Sequence, residues 1–366
     1  MHQGFVIRSI IDVPGWRSFC YFDWPVEVHG NCPICDERLQ VVVAIVSQST
    51  NERLHVGTCP LCGLTTYIQK PTASALASFY ARDWMGETLH QALVKAGQLR
   101  KEITVQLEGN ADLSDPVLEV GCGYGGQVHL WQQLGFTDIN GVEACPVRAE
   151  AVRQVYGVRV YDGDFCDPEL VPDRHYNMIL ASHVLEHCLD PVAFVRRCFA
   201  IQRPGGTLVL SLPNFYAEPS MGVVMFAPHQ YSFTAMALER LLNKCGYIIE
   251  RIDKSQQLQV VARKNVEVGL GLAELNRDVV LDNGNLGLAV KKLLFGLGLV
   301  QDDQRYLTWR KHIDGAVHSP SWHEDAIAQQ AVDLLPRRIL IDNIRERLTN
   351  APIEIQFEGR IQLFCK

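Results

Sequence analysis

A glycine-rich turn near the middle of the chain sits between an apolar stretch and a segment of helical pattern. The run reads Val117-Leu-Glu-Val-Gly-Cys-Gly-Tyr-Gly-Gly126. Because glycines let the backbone approach a ligand closely and a helix N-terminus carries partial positive charge, such a strand–turn–helix unit is suited to ligand binding. The unit predicts an α/β sheet whose ligand lies at the carboxyl ends of parallel strands.

Short apolar segments and helical patterns alternate after this turn, which predicts parallel strands covered by helices on both faces. Two later β-like runs, 247–252 and 258–262, are joined by a short polar turn without room for a crossover helix, so we expect an antiparallel hairpin at the sheet edge. The other predicted strands are 117–120, 139–142, 158–161, 178–181 and 207–212, and the predicted helices are 127–134, 146–156, 191–201 and 234–245.

Composition divides the chain into four predicted regions. Residues 1–70 are rich in cysteine and β-prone runs, and residues 71–115 form a helical linker or cap. Residues 116–264 hold the α/β domain. Residues 265–366 form a mainly helical extension, with helical patterns at 286–299 and 324–348 and a strand-like tail at 353–365. We interpret this extension as a cap or homodimerisation element, with a substrate-selecting lid as the alternative.

Length and charge restrict the class of partner. The chain has 366 residues, enough for more than one core, and a formal net charge of −7. That charge disfavours binding to a phosphate backbone. The first residues lack the layout of a secretory signal, and no apolar stretch approaches the roughly 20 residues of a membrane helix. The sequence therefore predicts a cytoplasmic protein without a membrane span.

Two C-x-x-C knuckles in the first region have metal-ligand spacing. Cys32 and Cys35 form one, Cys59 and Cys62 the other, and 23 residues separate them. This pattern predicts a zinc ribbon whose four thiolates fill a tetrahedral zinc site. The zinc would be structural, because no position is left for water. A redox dithiol or reduced, metal-free thiols are the alternatives.

The glycine turn alone also fits a dinucleotide site, with Glu143 at the next strand tip to take ribose hydroxyls. Glu119 separates the two interpretations. A carboxylate two residues before the first glycine would repel a pyrophosphate, but it would attract a sulfonium and an ammonium group. Charge therefore favours S-adenosylmethionine over NAD.

With the edge hairpin, these motifs make residues 117–264 resemble a class I S-adenosylmethionine-dependent methyltransferase, which implies a Rossmann-like seven-stranded sheet. The resemblance also rests on Gly163-Asp164-Phe165, on Ser182-His-Val-Leu-Glu-His187 and on Pro204-Gly-Gly206. It implies that Gly121 and Gly123 line the methionine end, that Glu143 holds the ribose, that Asp164 and Phe165 flank the adenine, and that Ser182 and His183 close the pocket. For Asp164 a turn role, and for Phe165 core packing, are the alternatives.

The cysteine-rich region, continuing through Lys70-Pro71 and Phe79-Tyr80, is similar to the front end of bacterial enzymes that methylate deoxysugars or surface glycans. The spacing between the knuckles is longer here than in that group. The similarity implies that Tyr80 approaches the cofactor.

Histidines after the fourth and fifth predicted strands are the candidate catalytic residues: His183, His187 and His229. A helical turn after Ala181 would stack His183 and His187 on one face. Three interpretations stay open. His187 or His229 is a general base; the histidines with Glu186 bind a divalent ion, as in metal-assisted O-methyltransferases, although His183 replaces that group's first acid; or the histidines only order the loop.

The sequence thus predicts methyl transfer to a small-molecule or sugar/glycan acceptor at a hydroxyl. The alternatives are an RNA methyltransferase that reads its substrate with the ribbon and a non-catalytic binding protein with the same fold. The charges of the ribbon argue against RNA, since they show no positive excess: Asp36, Glu37, Arg38, Glu52 and Arg53.

Overall fold

A computed structural model describes residues 5–7, 25–47, 53–82, 112–171, 175–216, 228–254, 257–265 and 353–357. Its first part consists of short strands and one helix. These elements are β1 (Phe5–Ile7), β2 (Val26–Val28), β3 (Gln40–Ser47), β4 (Arg53–Thr58), β5 (Thr65–Tyr67), β6 (Gln69–Pro71) and α1 (Ala73–Tyr80).

The central part alternates strands and helices, as the sequence predicts. The strands are β7 (Val117–Val120), β8 (Ile139–Glu143), β9 (Arg159–Asp162), β10 (Tyr176–Ser182), β11 (Gln202–Pro213), β12 (Tyr231–Ser232), β13 (Tyr247–Asp253) and β14 (Gln257–Lys264). The helices are α2 (Gly126–Gln133), α3 (Pro146–Tyr156), α4 (Pro191–Ile201) and α5 (Ala235–Lys244). The last described strand is β15 (Ile353–Phe357).

A seven-stranded mixed sheet forms the centre of the molecule, in the order β13-β14-β11-β10-β7-β8-β9. Strands β7 to β11 pair in parallel, whereas β14 runs antiparallel to both β11 and β13. The α/β class and the edge hairpin are therefore confirmed. All residues of β7 and β8 are buried, because helices cover both faces of the sheet.

A second sheet has six strands in the order β1-β15-β3-β4-β5-β12. Two of its members come from distant parts of the sequence: β12 pairs with β5, and β15 lies parallel to β3. The described part of the strand-like tail, β15, thus joins this sheet. The predicted helices at 286–299 and 324–348 lie outside the described residues, as does almost all of the predicted C-terminal extension.

Two local features differ from the predictions. Strand β11 starts at Gln202, directly after α4, and not at Thr207. After β10 the chain does not form an α-helical turn. His183 lies in the left-handed region, with a φ of 54°, and one 3-10 turn follows at Leu185–His187. The condition for stacking His183 on His187, an α-helical turn after Ala181, is therefore not met.

Within the parts of the chain that the structure describes, no helix has both the length and the apolar character needed to cross a bilayer.

Helix α5 packs a strongly apolar face into the core, where Leu241 is fully buried. Leu241→Ala should lower the free energy of unfolding by about 2–5 kcal/mol, because it leaves a cavity among packed side chains. Asn243→Ala, at an exposed position of the same helix, should change it by less than about 0.5 kcal/mol. Urea unfolding measures both values, and equal losses would contradict this account of the packing.

Candidate active site

Four cysteine side chains from the two knuckles gather into one cluster. Their sulfur atoms lie within 4.8 Å of one another, and the Sγ atoms of Cys32 and Cys62 are 3.8 Å apart. A tetrahedral zinc with bonds of about 2.3 Å places its sulfur ligands about 3.8 Å apart. None of the four cysteines is in a disulfide bond, so all four sulfurs can serve as ligands. The cluster thus has the dimensions and chemistry of a metal site.

The two knuckles share one backbone geometry. In the first, Asp36 N donates to Cys32 O over 2.8 Å, and in the second Gly63 N donates to Cys59 O over 2.9 Å. Asp36 and Gly63 both have positive φ, at 60° and 71°. Each left-handed residue turns the chain back after the second cysteine, so that both sulfurs of a knuckle face the same point.

The glycine turn lies at the carboxyl end of β7, as predicted. Gly121 has a φ of 72°, and a Cβ there would come within 2.4 Å of Val184 Cγ2. Gly123 has a φ of 54°, and a Cβ there would meet nothing within 4 Å. The first glycine therefore permits close packing of the segment after β10, while the second borders open space where a ligand can approach the backbone.

Two buried carboxylates flank this turn. Glu143 ends β8, and its oxygens accept hydrogen bonds from Gly123 N at 2.8 Å and from Cys145 N at 3.0 Å. Glu119 lies inside β7, and its Oε2 is buried without a hydrogen-bond partner among the described residues. Burial, and next the charge of Glu143, raise the pKa of Glu119 well above its usual range. A cationic ligand would relieve both costs.

The other predicted pocket residues occupy different environments. Asp164 is exposed, and its Oδ1 accepts a hydrogen bond from Cys166 N, which is the turn geometry left open above. Phe165 is buried, with its ring centroid 5.0 Å from that of Phe194 on α4, so it contributes to the core. Ser182 is the half-buried last residue of β10, beside the left-handed His183.

The candidate histidines gather around Glu186. His183 Nδ1 lies 3.2 Å from Glu186 Oε1, and the rings of His187 and His229 meet edge to face with centroids 4.5 Å apart. One ligand atom from each of Glu186, His187 and His229 lies within 4.8 Å of the others. Because Val184 packs on Gly121, this cluster lies beside the glycine turn.

Burial and neighbouring charges set the protonation states of Glu186 and His187. Burial opposes ionisation of Glu186, but the His183 hydrogen bond and the charges of all three histidines outweigh it and hold its pKa at about 2. Burial lowers the pKa of His187, so this ring stays neutral near pH 7. Glu186 Oε2 is buried and has no hydrogen-bond partner among the described residues.

Tyr80, predicted to approach the cofactor, lies at the end of α1 and contacts the histidine cluster. Its hydroxyl is 2.6 Å from His187 Nδ1, and the two rings pack edge to face. These residues are 107 positions apart in sequence, so their pairing has no local signal. The sequence pattern also does not mark Thr66 and Lys70 as site residues, although both donate to the carbonyl of Gln230, directly after His229.

Comparison with known proteins identifies the central part of the chain. A protein-family model described as a methyltransferase domain matches residues 89–251. A Mycolicibacterium smegmatis protein named "Probable S-adenosylmethionine-dependent methyltransferase" is 29% identical over 153 residues, which are 41% of this chain and 59% of that protein. The ubiquinone biosynthesis O-methyltransferase of Bordetella avium is 29% identical over 196 residues, 52% of this chain and 76% of that protein.

A crystal structure of a Mesorhizobium loti S-adenosylmethionine-dependent methyltransferase covers 46% of this chain and 99% of its own, with 13% identity and a TM-score of 0.40. The chain spans 59% of the length of the mycobacterial relative. The family match and the sequence relatives show that the centre of this chain is a class I S-adenosylmethionine-dependent methyltransferase domain.

Gly121→Ala should abolish measurable S-adenosylmethionine binding, because its Cβ would clash with Val184 and displace the turn. Gly157→Ala is the matched control, with a φ of 67° and nothing within 4 Å of an added Cβ. It should cost about 1 kcal/mol of stability through its backbone conformation and leave affinity unchanged. Calorimetric titration measures the affinities, and unchanged binding by the Gly121 variant would contradict the assigned turn.

Cys59→Ser should remove bound zinc and lower the melting temperature, because a four-thiolate site loses one ligand. Cys198→Ala, a buried cysteine on α4 outside the cluster, should leave the zinc content unchanged. Elemental analysis of the purified chains gives the metal content. Wild-type protein free of zinc would favour the reduced-thiol alternative.

Proposed function

We propose that this protein transfers a methyl group from S-adenosylmethionine to a hydroxyl of a small-molecule or sugar/glycan acceptor. The observation that carries the proposal is the cluster of Glu186, His187 and His229 beside the glycine turn of a methyltransferase domain. A proton-accepting group next to the methyl donor is what transfer to a hydroxyl requires.

The residues at the glycine turn fit the cofactor. Gly123 borders open space, Glu143 ends the strand where a carboxylate can accept ribose hydroxyls, and Glu119 offers an unpartnered buried oxygen to a positive charge. When bound, S-adenosylmethionine supplies a methyl group already activated by its sulfonium. The protein then has to hold the acceptor oxygen in line and take up its proton.

His187 is the best supported general base. Burial lowers its pKa, so the ring can accept a proton near pH 7, and Tyr80 fixes its orientation through Nδ1. His229 packs against the same ring and encloses the site. His183 is 44% exposed and bonds to Glu186, so we assign it an orienting role.

A divalent ion held by Glu186, His187 and His229 is the second candidate mechanism. Their ligand atoms are close enough to share one ion, and the unpartnered Glu186 Oε2 fits such a charge. One carboxylate and two imidazoles are ligands that many divalent metals accept. When bound, the ion would polarise the acceptor hydroxyl and lower its pKa. Six curated relatives are named ubiquinone biosynthesis O-methyltransferases, which is consistent with either route to an oxygen acceptor.

An RNA substrate is less well supported, because the net charge is −7 and the curated relatives above are not named as RNA enzymes. We therefore propose a small-molecule acceptor. We assign the cysteine ribbon a structural role and not a role in binding RNA.

Glu143→Ala should abolish binding of S-adenosylmethionine and S-adenosylhomocysteine, because it removes the carboxylate that orders Gly123 and that we assign to the ribose hydroxyls. Glu150→Ala, at an exposed position on α3, should retain micromolar affinity for both ligands. Calorimetry with both ligands and with NAD measures this. Binding of NAD alone, or of no ligand, would overturn the proposed function.

His187→Ala should lower kcat by about 10²-fold or more while the affinity for S-adenosylhomocysteine changes little, because the base and not the cofactor site is lost. His129→Ala, on α2, should behave as wild type. The assay follows transfer of a labelled methyl group to phenols, catechols and nucleotide sugars. Activity lost on chelation and restored by Mg²⁺ would select the metal mechanism, whereas activity indifferent to chelation would select the base.

A further inference from the structure

The carbonyl of Gln230 is a point of contact between the candidate active site and the cysteine ribbon, by which we mean the two cysteine knuckles with strands β3 to β6. Thr66 Oγ1 donates to it over 2.6 Å, and Lys70 Nζ donates to it over 2.8 Å. Lys70 Nζ also donates to Thr66 Oγ1 over 2.6 Å and lies 3.6 Å from the centroid of the Tyr231 ring. Both donors are buried, with Lys70 only 1% exposed.

The same backbone segment is bonded on its other side to the catalytic cluster. Gln230 N donates to Glu186 O over 2.7 Å, and the preceding residue, His229, places its ring against His187. Strand β12 then continues as the partner of β5, with Tyr231 opposite Thr66. The position of His229 therefore depends on contacts with the ribbon as well as with Glu186.

A buried lysine is costly, and burial lowers the pKa of Lys70 well below its usual range. An apolar side chain of similar volume would fill the space without that cost. What the Lys70 Nζ adds is a directional N–H donor to the Gln230 carbonyl, and the same atom lies over the face of the Tyr231 ring. Such contacts fix the orientation of the Gln230 carbonyl, whereas apolar packing alone would not.

We propose that Lys70, together with Thr66, is a positioning residue of the methyl-transfer site: the two side chains fix the Gln230 carbonyl and thereby hold His229 against His187. This role rests on the proposed function, since it assigns His229 to the reacting site. It also makes the ribbon part of the active site's framework, because β5 and β6 carry the two residues.

Lys244 provides a matched control. This half-buried side chain donates from its Nζ to Ile34 O over 2.6 Å. Like Lys70, Lys244 therefore links the ribbon to the methyltransferase domain through a backbone carbonyl. It ends α5 and bonds to the first cysteine knuckle, not to Gln230. If a loss of kcat arose only from weaker attachment of the ribbon, removing either lysine should therefore cause it.

The test compares Lys70→Met with Lys244→Met in the full chain. We expect Lys70→Met to lower kcat at least about tenfold, because a small displacement of an active-site group is costly. The KM for S-adenosylmethionine and the zinc content should not change. Amide hydrogen exchange in a peptide covering residues 228–234 should become faster. Lys244→Met should leave kcat and this exchange within about twofold of wild type.

Thr66→Val and Thr66→Ser provide a second test that keeps Lys70 in place. The valine variant removes one donor at nearly constant volume and should lower kcat and speed exchange, whereas serine keeps the hydroxyl and should restore both. Unchanged kcat and exchange in Lys70→Met and Thr66→Val, or equal kcat losses in the two lysine variants, would overturn the positioning role. A wild-type protein that methylates no acceptor would overturn the proposed function, and the exchange measurements would still decide whether Lys70 and Thr66 hold this segment.

Discussion

The segment from His229 to Ser232 is hydrogen-bonded on both sides, and the geometry of the candidate active site depends on it. Strand β5 and Lys70 Nζ hold it from the ribbon, while Glu186 O holds it from the central domain. Thr234 Oγ1 extends the same attachment by donating to Cys62 O over 2.7 Å. Because these are directional bonds between buried groups, the segment has one favoured conformation, and that conformation brings His229 to His187.

Buried carboxylates give this edge of the sheet its chemical character. Glu143 is satisfied by backbone amides, and Glu186 by His183 and the surrounding histidines, which hold its pKa at about 2. Glu119 has less compensation: the Val128 backbone hydrogen bond lowers its pKa, but burial and the charge of Glu143 outweigh it and raise the pKa. Carboxylates retained in a buried site at such a cost suit a cationic ligand. Under the proposed function the sulfonium would meet Glu119, and in the metal mechanism a divalent ion would meet Glu186.

Much of the central domain could be predicted because its signals are local. Alternating apolar segments gave the strands, the short polar turn gave the edge hairpin, and the spacing of the cysteines gave the cluster. The conformation of the segment after Ala181 could not be predicted, since residue pattern does not reveal that His183 adopts a positive φ and so ends the strand in a sharp turn. The contact of Tyr80 with His187 could also not be predicted from local sequence, because it joins residues 107 positions apart.

The sequence by itself therefore determined the α/β class, the knuckles and the glycine turn, because each depends on periodicity or spacing within a few residues. Only the tertiary structure decided that β12 and β15 join the ribbon's sheet, and that Lys70 lies buried against Gln230 and Tyr231, the residues after His229. Those arrangements depend on how distant surfaces bury their apolar groups and satisfy their hydrogen bonds together, and no local preference of the chain encodes that.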